Sequence, residues 1–312
     1  MQIANIKLKN QFMLSPMVAV TCGPFRKLCK EYGASLTTPE MISSEALIRD
    51  DERTWKMIER QDNENPFCIQ LFGSKVDALY RAALLLEKEC DIIDINLGCP
   101  VDNITKLGCG SALLEKPEFL KELFDKLTTI NTPITAKMRL GTKSKDNCVK
   151  IAKVLENSGI AALSVHGRTA SQGYSGKADY QAIREIKDAL SIPLIGNGDV
   201  FKPEDAELLL DQTKCDGILL ARGAIGNPFI FQQLTDYFDS EKYDLPTTEQ
   251  KIEAFLKFFE YAENNQTLTV IKAHAAYFTK GIEGGAQIRN QLSKAQSTEK
   301  IKQIFSPLIK IN

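Results

Sequence analysis

The amino-acid sequence predicts an α/β protein: a (β/α)8 TIM barrel over residues 1–240, followed by a small all-helical domain over residues 241–312. Three features lead there. Eight short apolar runs rich in β-branched residues recur before position 221, and the stretches between them place apolar residues at helical spacing with charged opposite faces. After Phe231 that alternation stops. Eight strands alternating with helices over some 230 residues have the count and length of a closed parallel barrel.

Strands are expected at 12–15 (FMLS), 35–38 (SLTT), 67–71 (FCIQL), 91–95 (DIIDI), 134–138 (ITAKM), 161–165 (AALSV), 192–195 (IPLI) and 216–220 (DGILL). Helices are expected at 75–89, 117–129, 146–157, 179–189 and 203–211, each closed by a turn or Pro/Gly signal before the next strand. An open doubly wound sheet would require a dinucleotide turn after the first strand, but Ser15-Pro16-Met17-Val18-Ala19 contains no glycine fingerprint. Beyond the loop at 239–247, Ile252, Phe255, Leu256 and Phe259 repeat at helical spacing behind Thr247 and Gln250, which have the spacing of a capping box. Further helical pattern follows at 268–280, 284–294 and 298–305.

Composition narrows the function classes. With 312 residues, 43% hydrophobic and 25% charged, the chain is long and apolar enough for a large core, which excludes disorder, coiled coil and a disulfide miniprotein. A net charge of -1 gives no global attraction to nucleic acid or an anionic membrane. The charge is unevenly spread, however. Residues 264–312 hold seven Lys/Arg and two Glu, a net +5, which leaves -6 for the preceding 263. This is either a solvated helical face or a local patch for a polyanion. Eight cysteines without a CxxC pair, and an opening MQIANIKLKN without an apolar export run, suggest a reduced, cytoplasmic chain. No run of 18 apolar residues suggests a membrane span, and two histidines without cysteine pairs give no basis for a metal site.

In a β/α barrel the chemistry sits at the C-terminal strand ends. That edge carries Ser15-Pro16-Met17, Glu40-Met41, Gln70, Asn96 with Cys99, Lys137 with Arg139, His166-Gly167-Arg168, Asn197-Gly198-Asp199 and Arg222-Gly223. GNGD at 196–199 and ARGAIGNP at 221–228 offer small residues whose backbone N–H groups can approach an anion, with Arg222 adding charge. Strand alternation sends Lys137 inward, where an ammonium needs a negative partner. Asp94 could be that partner, or a bound flavin whose edge becomes anionic on reduction. Cys99, in the Asn96-Leu97-Gly98-Cys99-Pro100 turn, has the chemistry of a general acid; Cys109, in Gly108-Cys109-Gly110-Ser111, is its rival. His166 either packs at the strand end or donates to a phosphate or carbonyl. His274, near Lys272 and Lys280, either packs within the helical domain or contacts a polyanion.

These motifs together resemble the flavin-dependent tRNA-dihydrouridine synthases. The resemblance runs through SPMVAVTCGPFRKLCKEYGA at 15–34, PEM at 39–41, QLFG at 70–73, DINLGCPVDNITKLGCGSALL at 94–114, KMRLG at 137–141, VHGRTASQGYSGKADY at 165–180, GNGDV at 196–200 and ARGAIGNP at 221–228. It implies FMN bound with Pro16 and Met17 by its ring, Gln70 and Lys137 at its polar edge, His166 nearby, and Asn197, Gly198, Asp199, Arg222 and Gly223 on its phosphate side. Asn96, Arg139 and His166 would place a uracil, and Cys99 and Lys137 would be the catalytic pair. The helical segment resembles the family's tRNA-binding domain, so Lys272, His274, Lys280 and Arg289 are expected to contact RNA. Its usual Arg-Lys-His and Trp-Tyr-x-Lys-Gly read Lys272-Ala273-His274 and Tyr277-Phe278-Thr279-Lys280-Gly281 here. The implied reaction is reduction of a uridine C5=C6 bond, with NADPH or NADH as transient donor. Two alternatives stand beside it: an FMN oxidoreductase of free dihydropyrimidine or dihydroorotate, and a noncatalytic RNA-binding barrel.

Overall fold

The computed structural model describes residues 1–309; Lys310, counted in the positive charge above, and the last two positions of the expected helical domain lie outside the described residues. Eight parallel strands form one curled sheet: β1 (Phe12–Leu14), β2 (Ile42–Ser43), β3 (Cys68–Phe72), β4 (Ile92–Leu97), β5 (Ile134–Arg139), β6 (Ala162–His166), β7 (Leu194–Asn197) and β8 (Gly217–Leu220). Their spatial order is β1-β8-β7-β6-β5-β4-β3-β2. The register is continuous across the centre, for example Asn96 beside Lys137 and Arg139 beside His166. Nearly every residue of β3 to β8 is buried, as expected for strands covered on both faces.

Among the described residues, seven helices of nine residues or more cover the outer face: α1 (Gly23–Glu31), α2 (Val76–Leu86), α3 (Pro117–Leu127), α4 (Cys148–Asn157), α5 (Tyr180–Ala189), α6 (Pro203–Thr213) and α7 (Ile230–Ser240). On α3, Leu120, Leu123, Phe124 and Leu127 are buried at helical spacing behind Pro117 in the first turn. A second core lies inside the curl, where Met13, Leu36, Cys68, Ile92, Ala162, Ile195 and Leu219 meet Ile3 and Leu8. Ile3 belongs to a hairpin of Gln2–Ile3 with Ile6–Lys7, which was too short to show a pattern in the sequence.

One expected strand is displaced. Residues 35–38 make the Thr37–Phe67 bridge and hydrogen bonds to both neighbours (Ser35 N to Phe12 O 2.9 Å, Leu14 N to Leu36 O 2.9 Å, Cys68 N to Thr37 O 3.1 Å), but no regular strand. Pro39 lacks the N–H that would continue the ladder, and the sheet takes Ile42–Ser43 instead.

Four helices follow: α8 (Thr248–Ala262), α9 (Leu268–Phe278), α10 (Gly285–Lys294) and α11 (Thr298–Phe305). The expected capping box begins α8: Gln250 N donates to Thr247 Oγ1 (3.3 Å) and Thr247 N to Gln250 Oε1 (2.8 Å). Phe255, Phe258, Phe278 and Phe305 are fully buried between these helices. α8 lies against α1, where Glu31 accepts from Tyr261 Oη (2.8 Å) and pairs with Lys257 (2.8 Å). Among the described residues, no helix is long and apolar enough to cross a membrane.

Candidate active site

Because parallel strands all end on one side, the residues that terminate them share one rim. There they surround a cavity of about 330 Å³ lined by Pro16, Met17, Gln70, Asn96, Cys99, Lys137, Arg139, His166, Asn197, Gly198, Asp199, Arg222 and Gly223. The strand-end candidates are thus brought to one place, apart from Glu40, Gly167 and Arg168, which do not line the cavity. Cys99 is partly exposed into it; Cys109 is buried elsewhere, its thiol directed to Leu107 O at 3.7 Å.

The floor of the cavity is a chain of side-chain hydrogen bonds. Thr135 Oγ1 donates to Asp94 Oδ1 (2.6 Å), Gln70 Nε2 to Asp94 Oδ2 (2.7 Å) and Asn96 Nδ2 to Gln70 Oε1 (2.8 Å). Asn96 Oδ1 then accepts from Gly98 N (3.2 Å) and Cys99 N (2.9 Å). Burial raises the Asp94 carboxyl to about 6 against the pull of these donors and of Lys137. Asp94 does not pair with Lys137. Among the described residues, Lys137 makes no hydrogen bond or ion pair, and burial followed by the Arg139 charge lowers it to about 8. Its ammonium lines the cavity together with Gln70, Asn96, Cys99 and Arg139.

Charge is concentrated around it. Arg139 Nη1 is fixed by the Thr169 and Gly173 carbonyls (2.8 Å each), while Arg168, buried in the rim, reaches Asp199 Oδ2 (2.7 Å) and lies 3.4 Å from His166 Nε2. Burial and the cations Lys137, Arg139, Arg168 and Arg222 drive His166 down to about 2, so its ring is neutral. Asp199 carries the compensating charge, accepting also from Ala178 N (2.8 Å) and pairing with Arg222 (3.1 Å). Its side chain therefore serves the loop, and only its backbone is left to meet a ligand.

The two glycine turns are sterically required. Gly198 has φ +140° and a Cβ there would lie 2.7 Å from Ala178 Cβ; a Cβ on Gly223 would collide with Val200 O. Their backbones line the cavity beside Arg222.

A family model described as dihydrouridine synthase matches residues 13–310. The chain belongs to the dihydrouridine synthase family. It is 34% identical over 291 residues to tRNA-dihydrouridine synthase B of Pasteurella multocida, covering 91% of this chain and 88% of that one. It is 35% identical over 301 residues to tRNA-dihydrouridine synthase B of Vibrio parahaemolyticus, covering 93% and 92%. In fold it is similar to histamine dehydrogenase from Rhizobium sp. 4-9 (TM-score 0.60, 14% identity, 84% of this chain and 50% of that one). It is likewise similar to the old yellow enzyme homologue from Zymomonas mobilis (TM-score 0.57, 16%, 80% and 93%).

The residues of this family member expected to meet RNA are not gathered in the same way. His274 is fully buried at the seam with α1, its ring stacked 4.4 Å from Phe258 and 5.0 Å from Phe25, with Nε2 3.7 Å from Cys22 Sγ. A polyanion does not reach it, so direct contact gives way to packing. Lys272 Nζ donates to Ser293 O (2.8 Å) and Ala295 O (3.0 Å), closing the C-terminus of α10. Arg289 is exposed and reaches Thr279 O (3.3 Å); Lys280 is exposed, 5.5 Å over the Tyr277 ring. Sequence reasoning missed Tyr174 and Phe201, two exposed rings on the cavity rim with Arg222 4.6 Å and 5.4 Å from their centroids. Both sit in loops, where no periodicity marks an orientation. Thr135 was passed over as an ordinary strand residue.

Proposed function

We propose that this chain is an FMN-dependent tRNA-dihydrouridine synthase that reduces the C5=C6 bond of a tRNA uridine, with NADPH or NADH as transient donor. The carrying observation is the unpaired Lys137 ammonium beside a neutral His166, within one cavity that also holds Cys99 and the two glycine turns. These residues fit FMN. Pro16 and Met17 offer an apolar wall for a flat ring, Gln70 and Lys137 a polar edge, and the Asn197-Gly198-Asp199 backbone with Arg222 and Gly223 a phosphate cradle. When bound, FMN supplies the hydride received at uracil C6.

The chain's own groups do the rest. Cys99 delivers the proton to C5, its turn held by Asn96 and by Ser111 N, which donates to Cys99 O at 3.0 Å. Arg139 has Nη1 committed to backbone carbonyls, which fixes the guanidinium and leaves Nε and Nη2 for a uracil carbonyl. Neutral His166 donates without bringing another charge, and Lys137 stabilises negative charge as it develops. The base enters already unstacked or extruded, since the cavity does not admit a duplex.

The same reading takes residues 35–38 as the stave that closes the (β/α)8 barrel, supported by their hydrogen bonds to both Phe12–Leu14 and Cys68. It takes 1–240 as the catalytic domain and 241–312 as the tRNA-binding one, working in the cytoplasm; exposed Lys280 and Arg289 are its RNA contacts. The test is anaerobic photoreduction of the yellow protein followed by mixing with tRNA lacking dihydrouridine. Flavin reoxidation with a two-hydrogen mass gain on uridine supports the reading; a flavin that stays reduced until a free pyrimidine or orotate is added rejects it.

A further inference from the structure

Asp94 has no part in the chemistry just described, yet the chain of side-chain hydrogen bonds behind the cysteine turn leads back to it. It is buried at 6% exposure, and each oxygen has its own donor: Thr135 Oγ1 on Oδ1, Gln70 Nε2 on Oδ2. An ionised carboxylate only accepts. It therefore fixes the far end of the relay, holding Gln70 Nε2 toward itself and Gln70 Oε1 toward Asn96 Nδ2, in the same sense as the N–H groups of Gly98 and Cys99 hold Asn96 Oδ1 at the near end. Carboxamides are nearly symmetric in shape, so packing alone selects neither orientation. A reversed Asn96 would present its NH2 to two N–H donors, and the Cys99 turn would lose both bonds on that side.

We infer that Asp94 is a positioning residue: it sets the polarity of the Gln70–Asn96 relay and, through it, the turn that aims Cys99. The inference rests on the role proposed above for Cys99. It is distinct from a charge effect on Lys137, with which Asp94 makes no ion pair.

The two mechanisms separate in a double-mutant cycle with Thr135. In Asp94→Asn the new NH2 can donate to Thr135 Oγ1, which keeps the remaining oxygen toward Gln70 and preserves the relay without the charge. Thr135→Val alone leaves the carboxylate still accepting from Gln70. Together, Asp94→Asn and Thr135→Val leave the new NH2 without the Thr135 acceptor, so that the polarity of the relay is held from the Cys99 end alone and the damage should exceed the sum of the single effects.

The experiment uses the FMN-loaded protein. It records uridine reduction at saturating tRNA, KM for tRNA, and the rate at which iodoacetamide alkylates Cys99, followed by peptide mass. Each single variant should stay within about threefold of wild type, and the double should fall about tenfold or more in kcat with little change in KM. Alkylation of Cys99 should accelerate in the double variant alone. Equal loss in Asp94→Asn and in the double overturns the inference in favour of charge, and a double no worse than the singles overturns it outright. If wild type reduces no tRNA uridine, the functional reading falls, while the alkylation pattern still decides the relay. Should the double fail to fold, Asp94→Ala and Asp94→Leu replace it. Both remove the acceptor for Gln70, both should show the same kcat loss and faster alkylation, and wild-type behaviour in either overturns the proposal.

Discussion

His166 and His274 are both buried imidazoles pushed below their ordinary range, to about 2 and about 4, but for different reasons. His166 sits at the end of β6, where four cations add to the effect of burial; an anion bound there would relieve part of the depression. His274 sits among Phe25, Phe258 and Tyr277, and burial depresses it with no neighbouring charge to remove. The first environment is an imidazole crowded by cations at the cavity, the second an imidazole packed among aromatic rings with its Nδ1 buried and unpartnered among the described residues. The strand-end region and the helical seam should accordingly separate under mutation, the one losing chemistry and the other losing stability.

The largest expected effect belongs to the strand ends. Cys99→Ala should retain yellow FMN and its reduction by the nicotinamide donor, yet slow uridine reduction by about 10²–10⁴-fold, the usual contribution of a positioned general acid. Rapid mixing of the reduced variant with unmodified tRNA measures it directly. Undiminished turnover would remove the chemical half of the comparison. Because the thiol is only partly buried and Cys99 is held through its own N–H, on Asn96 Oδ1, and its own carbonyl, on Ser111 N, the melting temperature should stay near that of wild type.

His274 should behave oppositely, and its pH dependence has a definite sign. The folded state holds the ring neutral down to about 4, whereas the unfolded chain protonates near 6.5, so the unfolded state binds more protons between those values. Stability is full above pH 6.5 and declines as pH falls to about 4, a loss of about 3 kcal/mol in total. His274→Leu removes the titrating group. Urea unfolding of both proteins across pH 4–7 should show wild type losing ground to the variant in that window alone, while tRNA reduction near neutral pH changes little. Parallel profiles would show that the imidazole is not buried as neutral packing.

The contrast also explains what the sequence made legible. Strand side chains alternate, and all parallel strands end on one rim, so Asn96, Lys137, Arg139 and His166 could be placed at a common site from residue order alone. The helical segment offered no such coordinate. Lys272, His274 and Lys280 lie within one short stretch, but helical spacing leaves open which of them faces the neighbouring core, and the partner face comes from α1, some 250 residues earlier in the chain. Residues 35–38 were misread for a local reason: β-propensity was right, but Pro39 stopped the ladder before it became regular. In the sequence Asp94 stood out only as a partner for Lys137 and Thr135 only as a strand residue, because the register of β4 against β5 is what sets their side chains together.

The basic residues of the helical segment give the smaller effects. Lys272→Ala removes the donor to Ser293 O and Ala295 O and should cost about 1 kcal/mol of stability, read by thermal or urea unfolding. Lys280→Ala should leave stability unchanged, because its ammonium is exposed and touches only the Tyr277 face. If Lys280 neutralises one phosphate, its loss weakens tRNA binding and lowers the slope of log K against log salt by about 0.7–0.9. Lys272→Ala, whose ammonium is already committed to carbonyls, should leave that slope alone. Equal slope changes in the two variants would mean that Lys272 leaves its cap to meet RNA, and the helical seam would then be a binding surface as well as a packed one.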